Sequence, residues 1–437
     1  MKWKSGSVGI SARRATHKVL SPFEVDYSTA GRPLLSRRLS IPFAPILSPL
    51  LLSLVLLMQG CASSSIYRNT ILSVDDAACV RFFATLAGLV ERNSVRDAGT
   101  VRVDGFPQLR LDRFHESLTQ TTSSPDAFGA WTERLRRLDL AARRFELANL
   151  PSESLKTFSL ERAPAEPIEQ TVDRCGMRLN QRLLTSPQLQ AILLKRAQVP
   201  DAYQPWKRIA GVYGLTRYAA GLGISRLHRK LGATFQSDPT DLSLNGRLIR
   251  YGPPKTTQLA TEEVGEILKS ADDNPLKIPL PTAGQLGRLF DTFAPFWEID
   301  VVNRNDLIGE VTVDRGGRPW INTAFPRVYR KHAFTRFQGK TLLQLVYQVW
   351  LPAREKTGSL DLYGGNLDSV MWRVTLGPDG APVAYDSIHA CGCYYLLFPG
   401  NGYRPIPPSD GAEPVLSPKP APEVPKGSRM TIRLEHG

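Results

Sequence analysis

The hydrophobic period of this chain changes partway along, and that change constrains the fold more than any other feature. In the first half apolar residues recur at offsets of 3, 4 and 7, the spacing of one helix face. Cys79, Phe82, Phe83, Leu86 and Val90 follow it behind Ser73, Asp75 and Asp76, which read as a helix start. Phe128, Trp131, Leu135, Leu138, Ala142 and Phe145 follow it behind Ser124-Pro125-Asp126, a cap with proline in the first turn. The arginines of that segment, Arg134, Arg136, Arg137, Arg143 and Arg144, mostly fall off the stripe. Beyond Trp297 the period drops to two. Leu343, Leu345, Tyr347 and Val349 alternate with other residues, and so do Val370, Trp372, Val374 and Leu376. That is the pattern of half-buried antiparallel strands.

The expected fold class is therefore α+β, a helical N-terminal half followed by an antiparallel β-rich C-terminal half. Residues 73–235 form the mainly helical region, with Val172, Cys175 and Leu179 on one face. Residues 236–403 form the β-rich region, with helices expected at Thr261–Ser270 and Ala283–Phe293. A hairpin is expected where Glu310-Val-Thr-Val and Pro319-Trp-Ile-Asn flank Asp314-Arg-Gly-Gly. Residues 404–437 form a Pro-rich loop and a last strand from Met430.

Ahead of all this stands an uncharged run, Leu39 to Met58, preceded by Arg37 and Arg38 and followed by Gln59-Gly60-Cys61-Ala62. A basic flank, an apolar stretch and small residues at a cleavage point make a targeting segment. Pro42, Pro45 and Pro49 argue against a regular spanning helix. Leu57, Gly60 and Cys61 resemble the lipobox of bacterial lipoproteins. The resemblance implies cleavage before Cys61, lipidation of that cysteine, and a membrane tether outside the cytoplasm. In that class Ala62 goes with sorting to the outer membrane, facing the periplasm. Residues 1–60 are then leader and signal peptide, and 61–72 the lipidated cysteine and its tether. The long lead before the apolar run suggests that translation starts downstream of Met1. Ser36-Arg37-Arg38-Leu39 also partly resembles a twin-arginine export signal.

The full chain carries a formal charge of +14, of which residues 1–60 hold +6 (eight basic, two acidic), leaving +8 on Cys61–Gly437. Both signs are spread along the chain, and no nucleic-acid motif accompanies the excess. The expected partners are a membrane, through the lipid anchor, and an envelope protein or glycan.

Removing Cys61 from the five cysteines leaves Cys79, Cys175, Cys391 and Cys393. In an oxidising compartment an even set invites disulfides. Cys79 and Cys175, both on apolar helix faces, are the favoured pair. The segment His389-Ala-Cys391-Gly-Cys393 would, if extended, turn its three donors to one face. Such donors suit zinc or copper(I), with His332 or Asp386 as a further ligand. A disulfide at Cys391 or Cys393, or reduced buried thiols, are the alternatives. A nucleophilic cysteine with a histidine base and Asp386 as orienter is a further one.

The functional expectation is an outer-membrane-anchored lipoprotein with an envelope-related binding or assembly role. The alternative is an exported enzyme, a hydrolase using the His389/Cys391/Cys393 region.

Overall fold

A computed structural model describes residues 2–5, 72–160, 166–200, 213–237, 241–254, 257–356, 364–392, 394–406, 415–425 and 427–435. Cys61, its tether and the apolar leader run lie outside the described residues. The fold is α+β. The described residues fall into two compact units, one holding 72–200 and the other 2–5 and 213–435.

The first unit is helical. Its elements are α1 (Val74–Arg92), the hairpin β2 (Val101–Val103) and β3 (Phe106–Leu111), α2 (Arg113–Ser117) and α3 (Pro125–Ala148). α4 (Ser152–Leu160), α5 (Ile168–Leu184) and α6 (Pro187–Arg196) follow. Ser73 caps α1 by accepting from the Asp76 amide at 3.1 Å, and Ser124 caps α3 by accepting from Ala127 at 3.2 Å. Asp76, in the first turn of α1, also meets Arg178 Nε of α5 at 2.6 Å. A disulfide joins Cys79 of α1 to Cys175 of α5, with Sγ–Sγ 2.02 Å and Cα–Cα 5.2 Å. Around it Phe83, Leu86, Val90, Trp131, Leu135, Leu179 and Leu183 form the apolar core.

α3 departs from its expected stripe. Phe145 is 51 % exposed, while Asp139, Arg143 and Glu146 are buried. The reason is β3, which brings the buried Arg110 against that stretch of the helix and makes it a charged face. The hairpin itself turns at Asp104-Gly105, where Gly105 takes φ +80°.

The second unit is built on a five-stranded antiparallel sheet. Chain order first gives α7 (Tyr213–Gln236), β4 (Arg247–Tyr251), α8 (Thr261–Leu268), α9 (Ala283–Phe293) and β5 (Phe296–Val301). Then come the hairpin β6 (Glu310–Val313) and β7 (Pro319–Asn322), and the long strands β8 (Val328–Phe337) and β9 (Lys340–Arg354). β10 (Gly365–Leu376), β11 (Pro382–His389), β12 (Leu396–Pro399) and β13 (Met430–Leu434) complete it. The large sheet runs β12-β11-β10-β9-β8. A second sheet runs β1-β13-β5-β4, where β1 (Lys2–Ser5) is antiparallel to β13 and β13 is parallel to β5.

The alternating rows of β9 and β10 set the core. Leu343, Leu345, Tyr347, Val349, Val370, Trp372 and Val374 share one face and pack with Leu289, Phe290, Trp297 and Ile432. Phe235 belongs to this core, so α7, grouped with the helical region by its composition, sits with the sheet. The β10–β11 turn abuts α8: Gly380, at φ +87°, leaves no room for a Cβ, which would stand 2.2 Å from Thr261 O. Among the described residues no helix is long and apolar enough to cross a membrane.

Candidate functional site

The end of the large sheet gathers the polar residues with chemical content. β10 and β11 pair with Val370 opposite His389, so His389 shares a face with Asp368, two residues from Val370 along β10. His389 Nδ1 lies 3.2 Å from Asp368 Oδ1, and the same oxygen accepts from the Ser369 amide at 2.7 Å. Burial raises the Asp368 carboxyl, but the His389 ring, the Ser369 amide and Arg354 outweigh it and hold it below the usual carboxylate range. The Tyr394 ring stands 5.2 Å from the His389 ring, centroid to centroid. Arg354, at the end of β9, places Nη1 3.2 Å from Tyr394 Oη.

The segment after His389 is not extended. β11 ends at His389, the Gly392 amide returns to His389 O at 2.9 Å, and Gly392 and Tyr394 take φ +83° and +54°. A turn replaces the strand, so the period-two argument that put His389, Cys391 and Cys393 on one face does not hold. Cys391 is disulfide-bonded, and Cys393 lies outside the described residues. A disulfide sulfur offers no thiolate to zinc or copper. Among the described residues no group of three His, Cys, Asp or Glu side chains could hold a metal.

The two further ligands considered for that site are also elsewhere. His332 is opposite Leu345 on β8, three strands across the sheet from β11. It is also four residues along the register from the His389 row. Asp386 is on the other face of β11, where Arg373 Nε donates to it at 2.6 Å. Burial pushes the Asp386 carboxyl up to about 6 in spite of Arg373. Asp386 thus orients Arg373, not His389.

The partner that sequence reasoning missed is Asp368, whose role depends on the β10–β11 register. Two other carboxylates of the β-region make structural contacts. Asp300 accepts from the amides of Asn245 and Gly246, each at 2.8 Å, and pins the approach to β4. Glu298 meets Arg250 at 3.3 Å. In the helical unit His115 is buried against Asp112 at 2.7 Å, and its carbonyl accepts from Trp131 Nε1 at 2.9 Å.

Chemically, the Asp368–His389 pair fixes an imidazole with its Nδ1 edge engaged, leaving Nε2 to accept or pass a proton. Among the described residues no hydroxyl or thiol is hydrogen-bonded to that ring. The Arg354 guanidinium, 3.2 Å from Tyr394 Oη and acting on the Asp368 carboxyl, adds a positive charge to the cluster. Compared with protein-family models, curated proteins and solved structures, the chain matches none.

Proposed function

We propose that this chain is an exported lipoprotein, tethered through Cys61 to the outer membrane and facing the periplasm, with a binding or assembly role in the envelope. The observation that carries the proposal is the oxidised state of its cysteines. Cys79 and Cys175 are bonded to each other, and Cys391 is also in a disulfide. Stable disulfides belong to compartments outside the cytoplasm. The lipobox-like Leu57-Met58-Gln59-Gly60-Cys61 supplies the matching address.

Cleavage before Cys61 would also remove Lys2–Ser5 and leave β13 as the edge of its sheet. The binding role rests on the His389, Asp368, Arg354 and Tyr394 cluster.

The test is metabolic labelling with palmitate, followed by the intact mass of the protein. The expected product begins at a lipid-bearing Cys61, and Cys61→Ser abolishes both label and cleavage. An unlabelled chain that retains Met1 or another upstream residue defeats the proposal.

A second reading has one observation behind it. The Asp368–His389 pair is the orienter-and-base half of a hydrolytic site. An exported hydrolase would lose turnover in His389→Ala with its fold intact. A binding protein would show no turnover to lose, and His389→Ala would weaken ligand capture only.

A further inference from the structure

The β6–β7 hairpin is half docked and half bare. Its base is fixed: Ile321 is 2 % exposed, the Val311 amide donates to Tyr329 Oη at 2.8 Å, and Gly309 bridges Trp350. Its tip is not. Val313 is 59 % exposed and Trp320 40 %, and Phe325, just past β7, is 58 % exposed.

Strand pairing puts these apolar groups on both faces of the ribbon. Val313 is opposite Pro319 on one face, and Thr312 is opposite Trp320 on the other. A partner with a flat surface covers one face of a two-stranded ribbon. Immersion in a lipid interface covers both, and tryptophan favours that interface.

The charges at the tip point the same way. Asp314 turns its carboxylate into the loop, where Oδ1 accepts from the amides of Gly316 and Arg318 at 2.8 and 2.9 Å. Arg315 and Arg318 are exposed, and no ion pair is recorded for either among the described residues. Their charges therefore face outward, flanking the apolar groups. Nearer the base Arg327 meets Glu310 at 2.9 Å, so that positive charge is locally answered.

We propose that the Val313–Trp320 tip is a membrane-docking element that seats its apolar side chains in the headgroup region of an anionic bilayer, with Arg315 and Arg318 on the phosphates. Basic groups at the surface of an anionic bilayer add electrostatic attraction to the burial of the apolar tip. The tip thus acts as a second membrane contact on the same chain, independent of lipid on Cys61.

The test is hydrogen exchange of the full chain, wild type and Cys61→Ser, with vesicles of phosphatidylglycerol mixed into phosphatidylethanolamine, or of phosphatidylcholine alone. The expected result is a several-fold slowing of exchange at residues 312–320 on the anionic vesicles only, in both proteins. Brominated lipids should quench fluorescence in the wild type by more than in Trp320→Phe. Val313→Asp and the pair Arg315→Glu with Arg318→Glu should each remove the slowing. Unchanged exchange in β9 and β10 will show that these variants keep the fold. Vesicle-independent exchange at the tip overturns the proposal, as does equal slowing on phosphatidylcholine. Slowing that needs an added protein partner overturns it too. A lipid-bearing Cys61 with an unprotected tip refutes this inference and leaves the lipoprotein proposal standing.

Discussion

Arg110 Nε donates to Asp139 Oδ1 at 3.0 Å, with both side chains at most 2 % exposed. Around this contact a charged network ties the β2–β3 hairpin to α3. Arg110 Nη2 reaches Glu146 at 2.7 Å, and Arg143 Nε reaches the other oxygen of Asp139 at 2.7 Å. Arg143 Nη2 donates to Pro107 O at 2.9 Å, and its guanidinium lies 4.7 Å from the centre of the Phe83 ring. Removing one member leaves buried charges without their partner. Asp139→Ala takes the carboxylate from Arg143 and leaves Arg110 with Glu146 alone of the two, and should lower stability by about 3–5 kcal/mol in urea unfolding. If Asp139→Ala unfolds within experimental error of the parent, the network is solvated and contributes nothing.

The Cys79–Cys175 bridge spans 96 residues of sequence and clamps α1 to α5. Closing a loop of that length restricts the unfolded chain by about 4.7 kcal/mol in the chain-entropy account. The double variant Cys79→Ala/Cys175→Ala should therefore lose up to that much stability to unfolding. Using the double variant instead of a reductant keeps Cys391 oxidised and the comparison clean. An unchanged denaturation midpoint would mean that the packing of Phe83, Leu86 and Leu179 already supplies the constraint.

Gly380 is a backbone requirement of the β10–β11 turn. Its φ of +87° is unfavourable for any residue with a Cβ, and that Cβ would meet Thr261 O at 2.2 Å and Gly265 N at 2.6 Å. Gly380→Ala should force α8 off the turn and lower the melting temperature of the sheet unit. The strain and the clash together are on the order of 2–4 kcal/mol. By contrast Gly317, at φ +75° with open space around it, should lose only the backbone share, about 1 kcal/mol. Equal losses at the two glycines would show that the approach to α8 is not tight.

These contrasts also show where sequence patterns carry structure and where they stop. The caps at Ser73 and Ser124 and the alternation of Leu343 to Val349 are local signals, and each formed the element it announces. The β2–β3 hairpin was not anticipated, although Asp104-Gly105 between two apolar runs signals a turn. A strand of three residues is too short to show a period. Asp139, Arg143 and Glu146 look like a solvated helix face because their burial depends on Arg110, which arrives from a different element. The same limit governs the sheet end. Only the β10–β11 register sets Asp368 beside His389, and only the turn that the Gly392 amide closes on His389 O takes Cys391 off the strand line.

Asp386 gives the sheet a measurable pH response. Burial pushes its carboxyl up to about 6, above the ordinary aspartate value of about 3.9 in the unfolded chain. A raised folded value means that the unfolded state binds fewer protons between those two limits. The stability linked to Asp386 is therefore complete below about pH 4 and is lost as pH rises through about 6. Asp368 has the opposite sign: its lowered value adds stability that disappears only as the pH falls through that lowered value. The window between about pH 4.5 and 7 thus isolates Asp386. Asp386→Asn cannot ionise and still offers Arg373 an acceptor oxygen. Its stability relative to the parent should rise across that window by on the order of 2 kcal/mol. The measurement is urea unfolding of both proteins at half-unit pH steps. Parallel stability curves would mean that Arg373, 2.6 Å away, keeps Asp386 ionised throughout.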